Sequence, residues 1–369
     1  LLTHQTLPIG YIWAPDSPDP THTYRQFQVI GAALNSILMI PAFFLLKKLF
    51  SEKTAKVALL FFIPSHFFLA NSFFTWPKSF TAFFILFSWL LLIENGTKRL
   101  VMAAIISGLA YLSHDLAVLY IAASFIYLLY KRRFTHSLIF TAIIGTVAAP
   151  WLLLASLKYH KPSTFIYYPI SLHDIPQYDD RHKLIEEFKH TSLFRLIQIR
   201  LDSLFYLLSP YQVIYSEAAQ SIVRRIWALS IFSFPGSVGL GLAIPAYIAA
   251  LRQKLSFYIF TIIPIFACVV VIGWPKGLGA SHFAEAIVVL FAGAAIHWML
   301  TKKWYKLVLI TYWINILQLI LYMLFSYNFV WREWLVNFQD WLLMLAMASV
   351  AVYGWLQIRK LLPPLLSEK

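Results

Sequence analysis

Long apolar runs separated by brief polar interruptions set the character of this chain. Runs of spanning length, about 15 to 25 residues each, fall approximately at 27–46, 57–74, 79–94, 100–113, 116–130, 137–155, 226–250, 257–274, 283–300, 307–327 and 341–358. The pattern predicts eleven transmembrane helices and hence an all-α, polytopic transmembrane helix bundle. One run decides how the others are divided. Between Leu100 and Tyr130 the tripeptide Ser113-His114-Asp115 interrupts an otherwise apolar stretch, with Lys98-Arg99 before it and Lys131-Arg132-Arg133 after it. A single crossing with basic flanks at both ends breaks the positive-inside rule, whereas two short crossings folded back at the tripeptide obey it. His114 and Asp115 then sit at the tip of a hairpin, at or just below the far surface. An ionisable pair there is a functional-site hypothesis by default; the plainer reading is that Asp115 N-caps the second arm.

The remaining basic residues follow the same alternation. Lys47-Lys48 with Lys53 and Lys56, Lys98-Arg99, Lys131-Arg132-Arg133, Arg252 with Lys254, Lys302-Lys303 with Lys306, and Arg359-Lys360 occupy every second gap. The short gaps between them hold only Lys78, Lys276 and Arg332. The basic gaps are therefore expected to be cytoplasmic, with Leu1 to Gln26 outside and the C-terminus inside. An odd number of spans starting outside implies a further helix upstream of Leu1, and the polar, Pro-rich start without Met reads as a fragment. The sequon Asn95-Gly96-Thr97 falls in a cytoplasmic gap and is expected to be a chance match.

Composition removes the soluble alternatives. The chain of 369 residues is 60% hydrophobic and 12% charged, with mean hydropathy +0.69, about half the charged fraction of an ordinary globular protein. A net charge of +14 would suggest nucleic acid in a soluble protein; here the basic clusters orient helices against an anionic leaflet, and no nucleic-acid partner is expected. Cys268 is the single cysteine, so no intrachain disulfide can form.

The predicted organisation has three parts: an N-terminal transmembrane module over 1–155, an extracytoplasmic loop over 156–225, and C-terminal transmembrane helices over 226–369. The loop holds four prolines, many tyrosines and seven of the sixteen acidic residues. Within it, Lys183 to Leu201 places Leu184, Phe188 and Leu196 near one face, which predicts an amphipathic helix lying in the interface plane. Structureless loops of this length are uncommon and usually functional.

Candidate chemistry gathers in the outer gaps. These hold Thr75-Trp76-Pro77-Lys78, then Ser113-His114-Asp115, then Trp274-Pro275-Lys276 followed by Ser281-His282-Phe283-Ala284-Glu285. The long loop adds His173-Asp174 and Asp179-Asp180. Each has a structural reading as well: Trp76 as an interfacial anchor, Lys78 and Lys276 as snorkelling residues, and Pro as a first-turn residue. His282 and Glu285 share a helix face at i, i+3, and could pair, orient a phosphate, or bind a metal with a third ligand such as His114 or His173. No Gly-rich phosphate loop, Gly-x-Ser-x-Gly or His-Glu-x-x-His sequence is present. Cations and carboxylates on one face of a bundle suit a lipid-linked phosphosugar, whose phosphate lies at headgroup depth and whose polyprenyl tail lies between helices.

These features resemble a family. Arg25 to Arg133 resembles the membrane-embedded GT-C glycosyltransferases, in particular the protein mannosyltransferases and the bacterial aminoarabinose-transferase-like enzymes. The likeness is carried by Thr6-Leu7-Pro8-Ile9, Arg25-Gln26-Phe27 with Gly31 and Asn35, Lys47-Lys48-Leu49-Phe50, Ile63-Pro64, Ala82-Phe83-Phe84 and Gly108-Leu109-Ala110-Tyr111-Leu112-Ser113-His114. His282-Phe283 is similar to the family's basic-aromatic pair before a late span. The resemblance implies an enzyme of the bacterial inner membrane that moves a sugar from a polyprenyl-phosphate donor to a lipid, glycan or protein acceptor on the periplasmic face. It implies donor-phosphate contacts at Lys78, His114, Lys276 and His282, with Asp115 in positioning or acid/base work. The family's first-loop acidic residue would lie upstream of Leu1, since Asp16 and Asp19 come too late. Where relatives often have Pro-Asp, this chain has Pro77-Lys78, which leaves a divalent metal an open question. The rival readings are an O-antigen polymerase or ligase-like enzyme and a transporter or flippase of lipid-linked sugars, the latter expected to show inverted repeats and broken helices.

Overall fold

The computed structural model describes residues 31, 33–65, 67–68, 78–94, 96–159, 181–208, 240–271, 285–325 and 338–363. Among these residues every regular element is helical. In chain order they are α1 (Met39–Leu49), α2 (Glu52–Phe62), α3 (Lys78–Glu94), α4 (Thr97–Ser113), a 3₁₀ turn (Asp115–Ala117), α5 (Val118–Tyr130), α6 (Phe134–Tyr159), α7 (Arg181–His190), α8 (Leu193–Leu208), α9 (Leu240–Ala250), α10 (Leu255–Val271), α11 (Glu285–Thr301), α12 (Tyr305–Phe325) and α13 (Phe338–Leu361). The all-α expectation holds.

The turns at the basic gaps have clear local causes. Ser51 caps α2, its Oγ accepting the Thr54 amide at 3.1 Å. Glu52 in the first turn pairs with Lys47 at 2.7 Å and with Lys56 at 2.8 Å, which closes the α1–α2 hairpin. The Lys47 and Lys56 ammonium groups hold its carboxyl down at about 2. After α5 the chain reverses through Arg132 at φ 56°, and after α11 through Lys303 at φ 58°. In both, the amide of the following residue bonds back five positions, Arg133 to the Leu128 carbonyl and Trp304 to that of Met299, each at 2.9 Å. These are Schellman endings with a basic residue in the left-handed position usually taken by Gly. Gly96, at φ +109°, serves the α3–α4 turn in a conformation that other residues rarely adopt.

The core is built around α11. Thirteen of its seventeen residues are buried, as expected of a helix that is apolar on every side. It packs against α9, α2, α3, α12, α10 and α1. A Cβ at Gly293 would collide with the Leu46 side chain and stand 3.0 Å from Phe50, so α1 and α11 meet at the glycine. Gly241 similarly brings α9 onto α12, where its amide donates to Asn315 Oδ1 at 3.0 Å. A second packing group joins α3, α5 and α10: Trp89 donates to Ser124 Oγ at 3.1 Å and lies 4.7 Å from the Phe260 ring. Helices from 1–155 and 226–369 thus share one hydrophobic cluster.

Helix length departs from the sequence expectation. Among the described residues one helix, Phe134–Lys158, is long and apolar enough to cross a membrane alone, and a second candidate arises only if α9 and α10 count as one bent span. That pair turns through 118° at its break, which falls at the basic gap containing Arg252 and Lys254. The helices within several other predicted spans are shorter: α1, α2 and α9 have 11 residues each, about 16 Å of rise against a hydrocarbon core of about 30 Å. The Lys183–Leu201 expectation needs a second correction. Two helices replace one, because the chain breaks at Thr191-Ser192 and Ser192 Oγ accepts the Arg195 amide at 3.3 Å to start α8. α8 docks on α10 with Ile199 buried, while Leu193, Phe194, Ile197 and Leu201 stay exposed.

Candidate functional site

The interruption in the Leu100–Tyr130 run is a true helix break. α4 ends at Ser113, and His114 adopts an extended conformation (φ −160°, ψ 129°) before the 3₁₀ turn. The capping expectation for Asp115 is overturned here. His114 is the cap, its Nδ1 accepting the Leu116 amide at 3.3 Å, and Asp115 occupies the first turn. Asp115 Oδ1 lies 3.0 Å from the same Nδ1, with both side chains about one-fifth exposed. A carboxylate against an imidazole fixes the orientation of the ring. At the start of a helix it also meets the favourable end of the dipole.

α3 places the next group. Ser88 on α3 donates to the Ala103 carbonyl at 3.1 Å and stands 2.8 Å from Ser107 Oγ on α4. Since its proton is committed to Ala103, Ser107 is the donor between the two hydroxyls. This antiparallel register brings the first turn of α3 level with His114 and Asp115. That turn opens at Lys78, of which only the helix position is described. Beside it, Ser79 donates to Glu285 Oε1 at 2.8 Å across 206 positions of sequence. Glu285, in the first turn of α11, is fully buried, and Ser79 is 2% exposed.

Four sequence candidates therefore share one end of the bundle: Lys78 by helix position, and His114, Asp115 and Glu285 by side chain. Trp76, His173, Asp174, Lys276 and His282 lie outside the described residues. No group of three or more His, Cys, Asp or Glu side chains in metal-binding arrangement occurs among the described residues. The His282–Glu285 metal reading cannot be completed from Glu285 alone, because its suggested partners His173 and His282 are outside that set.

Other polar groups were not anticipated from the sequence. Ser79 is one, its partner being far away in the chain. The opposite end holds another: His297 Nδ1 is 3.3 Å from Thr54 Oγ1, which contacts Ser51 Oγ at 2.8 Å. Lys53 sits 5.4 Å over the Tyr305 ring and Arg252 5.8 Å over Trp298 at this end. A third is the buried stripe Thr311, Asn315 and Gln318 on α12. Its signal was present in the sequence, as three polar residues at helical spacing in an apolar run.

Compared with known protein families, curated proteins and solved structures, the chain matches none.

Proposed function

We propose that the chain is an integral membrane glycosyltransferase of the GT-C type, resident in the bacterial inner membrane with its chemistry on the periplasmic face. The observation that carries the reading is the sorting of turns between the two ends of the bundle. Ser79 meets Glu285 at the same end of the bundle as His114 and Asp115, at gaps assigned outside by charge. Thr54 meets His297, Lys53 meets Tyr305 and Arg252 meets Trp298, at gaps assigned to the cytoplasm. Contacts between residues far apart in sequence thus sort the turns as the alternation of basic clusters does. In this reading the bundle has about eleven crossings. The exposed apolar side chains of α6 (Phe134, Leu138, Trp151, Leu153 and Leu157) suit contact with lipid.

In this reading the donor is a polyprenyl-phosphate sugar. The acceptor hydroxyl loses its proton to Asp115, and its oxygen forms a bond to the anomeric carbon. The bond from that carbon to the phosphate oxygen breaks, and the electron pair leaves on polyprenyl phosphate. Lys78, His114, Lys276 and His282 balance the phosphate charge. The acceptor is a lipid, glycan or protein, and no nucleic acid takes part. A transporter would place its break in mid-helix, facing a cavity; the sharp α9–α10 break instead coincides with a basic turn, which favours the enzyme.

The test is transfer from labelled polyprenyl-phosphate sugars by the chain in nanodiscs. Asp115→Asn and Lys78→Ala should each lower transfer by about 100-fold, the usual scale of an acid/base or charge-stabilising group, with membrane insertion unchanged. Wild-type rates in both variants would sink the assignment.

A further inference from the structure

We propose that the Ser79–Glu285 hydrogen bond is a clasp that positions Lys78 for the donor phosphate, with Glu285 a positioning residue. The proposal rests on the reading of this end as a donor-phosphate site.

The physical argument begins with the first turn of α3. Its amides have no partners earlier in the helix, so the turn is the part most prone to fray. Lys78 is its first residue, and a phosphate contact there needs a fixed backbone. The neighbouring side chain supplies the tie: Ser79 is 2% exposed, and its hydroxyl reaches Glu285 Oε1 at 2.8 Å. The partner is itself well anchored, because α11 is the most enclosed helix of the bundle. Its first turn is also where the helix dipole favours a carboxylate. Glu285 is fully buried, whereas a general base must come within about 3 Å of the proton it takes. Glu285 acts through Ser79.

Two readouts test this in nanodiscs, on the full chain with Cys268→Ser. In the first, Lys78→Cys is labelled with a membrane-impermeant maleimide in backgrounds carrying Ser79→Ala, Ser79→Thr, Glu285→Ala or Glu285→Gln. Ser79→Ala and Glu285→Ala should change the labelling rate in the same direction by about tenfold, the equivalent of one lost buried hydrogen bond. Ser79→Thr retains the donor and Glu285→Gln retains the acceptor, so both should stay within about twofold of the parent. In the second, with Lys78 restored, Ser79→Ala should lower kcat/KM for a polyprenyl-phosphate sugar by about tenfold. Unchanged labelling in both alanine variants would overturn the clasp. So would a Glu285→Gln chain that loses kcat at unchanged KM, since the carboxylate would then be doing chemistry. If the parent chain transfers no sugar from any such donor, the enzymatic reading fails, and the labelling alone decides whether the clasp exists.

Discussion

At His114 a single ring nitrogen faces two demands. The Leu116 amide needs a lone pair on Nδ1, at 3.3 Å, and Asp115 Oδ1, at 3.0 Å, needs a proton there. One nitrogen satisfies only one of these at a time. The neutral ring with its proton on Nε2 caps the turn, and a ring protonated on Nδ1 pairs with Asp115. Capping and charge pairing are therefore alternatives at one residue, and they can be separated by substitution. Asn at position 114 can accept the amide but carries no titratable ring. His114→Ala should destabilise the folded chain by about 1 kcal/mol through the lost cap, and His114→Asn by less, as read from thermal unfolding in detergent. Both should lose transfer activity. An Asn variant as active as the parent would reduce His114 to a cap.

Among the elements, α11 makes the strongest demand on its sequence. Its run Ala292-Gly293-Ala294-Ala295 gives neighbouring backbones room to approach, as small residues do where helices cross in lipid. Gly293 is the sharpest case because a Cβ there would overlap Leu46 and press on Phe50. Gly293→Val should cost about 1–3 kcal/mol by overpacking and spread α1 from α11, whereas Gly145→Ala on α6, where a Cβ meets nothing within 4 Å, should be neutral or stabilising. Thermal midpoints of the two variants in the same detergent check the contrast. The elements were legible where charge and apolarity agreed. The turns at Phe50-Ser51, His114 and Arg132 follow from charged interruptions in apolar runs. The break before α8 was legible in principle, since Ser192 is a good N-cap, but apolar spacing across Lys183–Leu201 outweighed it. Pairings such as Ser79 with Glu285 could not be read locally, because neither residue type nor spacing encodes a contact 206 positions away. The His114 cap was hidden for another reason: Asp is the commoner cap, and only the extended φ of His114 puts the ring over the Leu116 amide.

For the whole molecule the open quantity is the number of crossings, and α4 is where it can be measured. Its 17 residues rise about 25 Å, slightly less than a typical hydrocarbon core of about 30 Å. A helix this short can cross if Lys98 and Arg99 extend from their end toward the headgroups and the polar tripeptide meets water at the other. The alternative is a helix within a bundle that spans as a unit only at α6. The two arrangements differ in which faces of the membrane see the ends of α4. With Cys268→Ser as background, Thr97→Cys and Ser113→Cys should react with an impermeant maleimide from opposite faces of sealed inner-membrane vesicles, Thr97→Cys from the cytoplasmic side. The α5 end supplies a second reading, since Lys131→Cys should behave like Thr97→Cys. If Thr97→Cys and Ser113→Cys both react from the cytoplasmic side, the hairpin does not cross. His114 and Asp115 would then lie on the cytoplasmic face, and a periplasmic polyprenyl-phosphate site built on them could not stand.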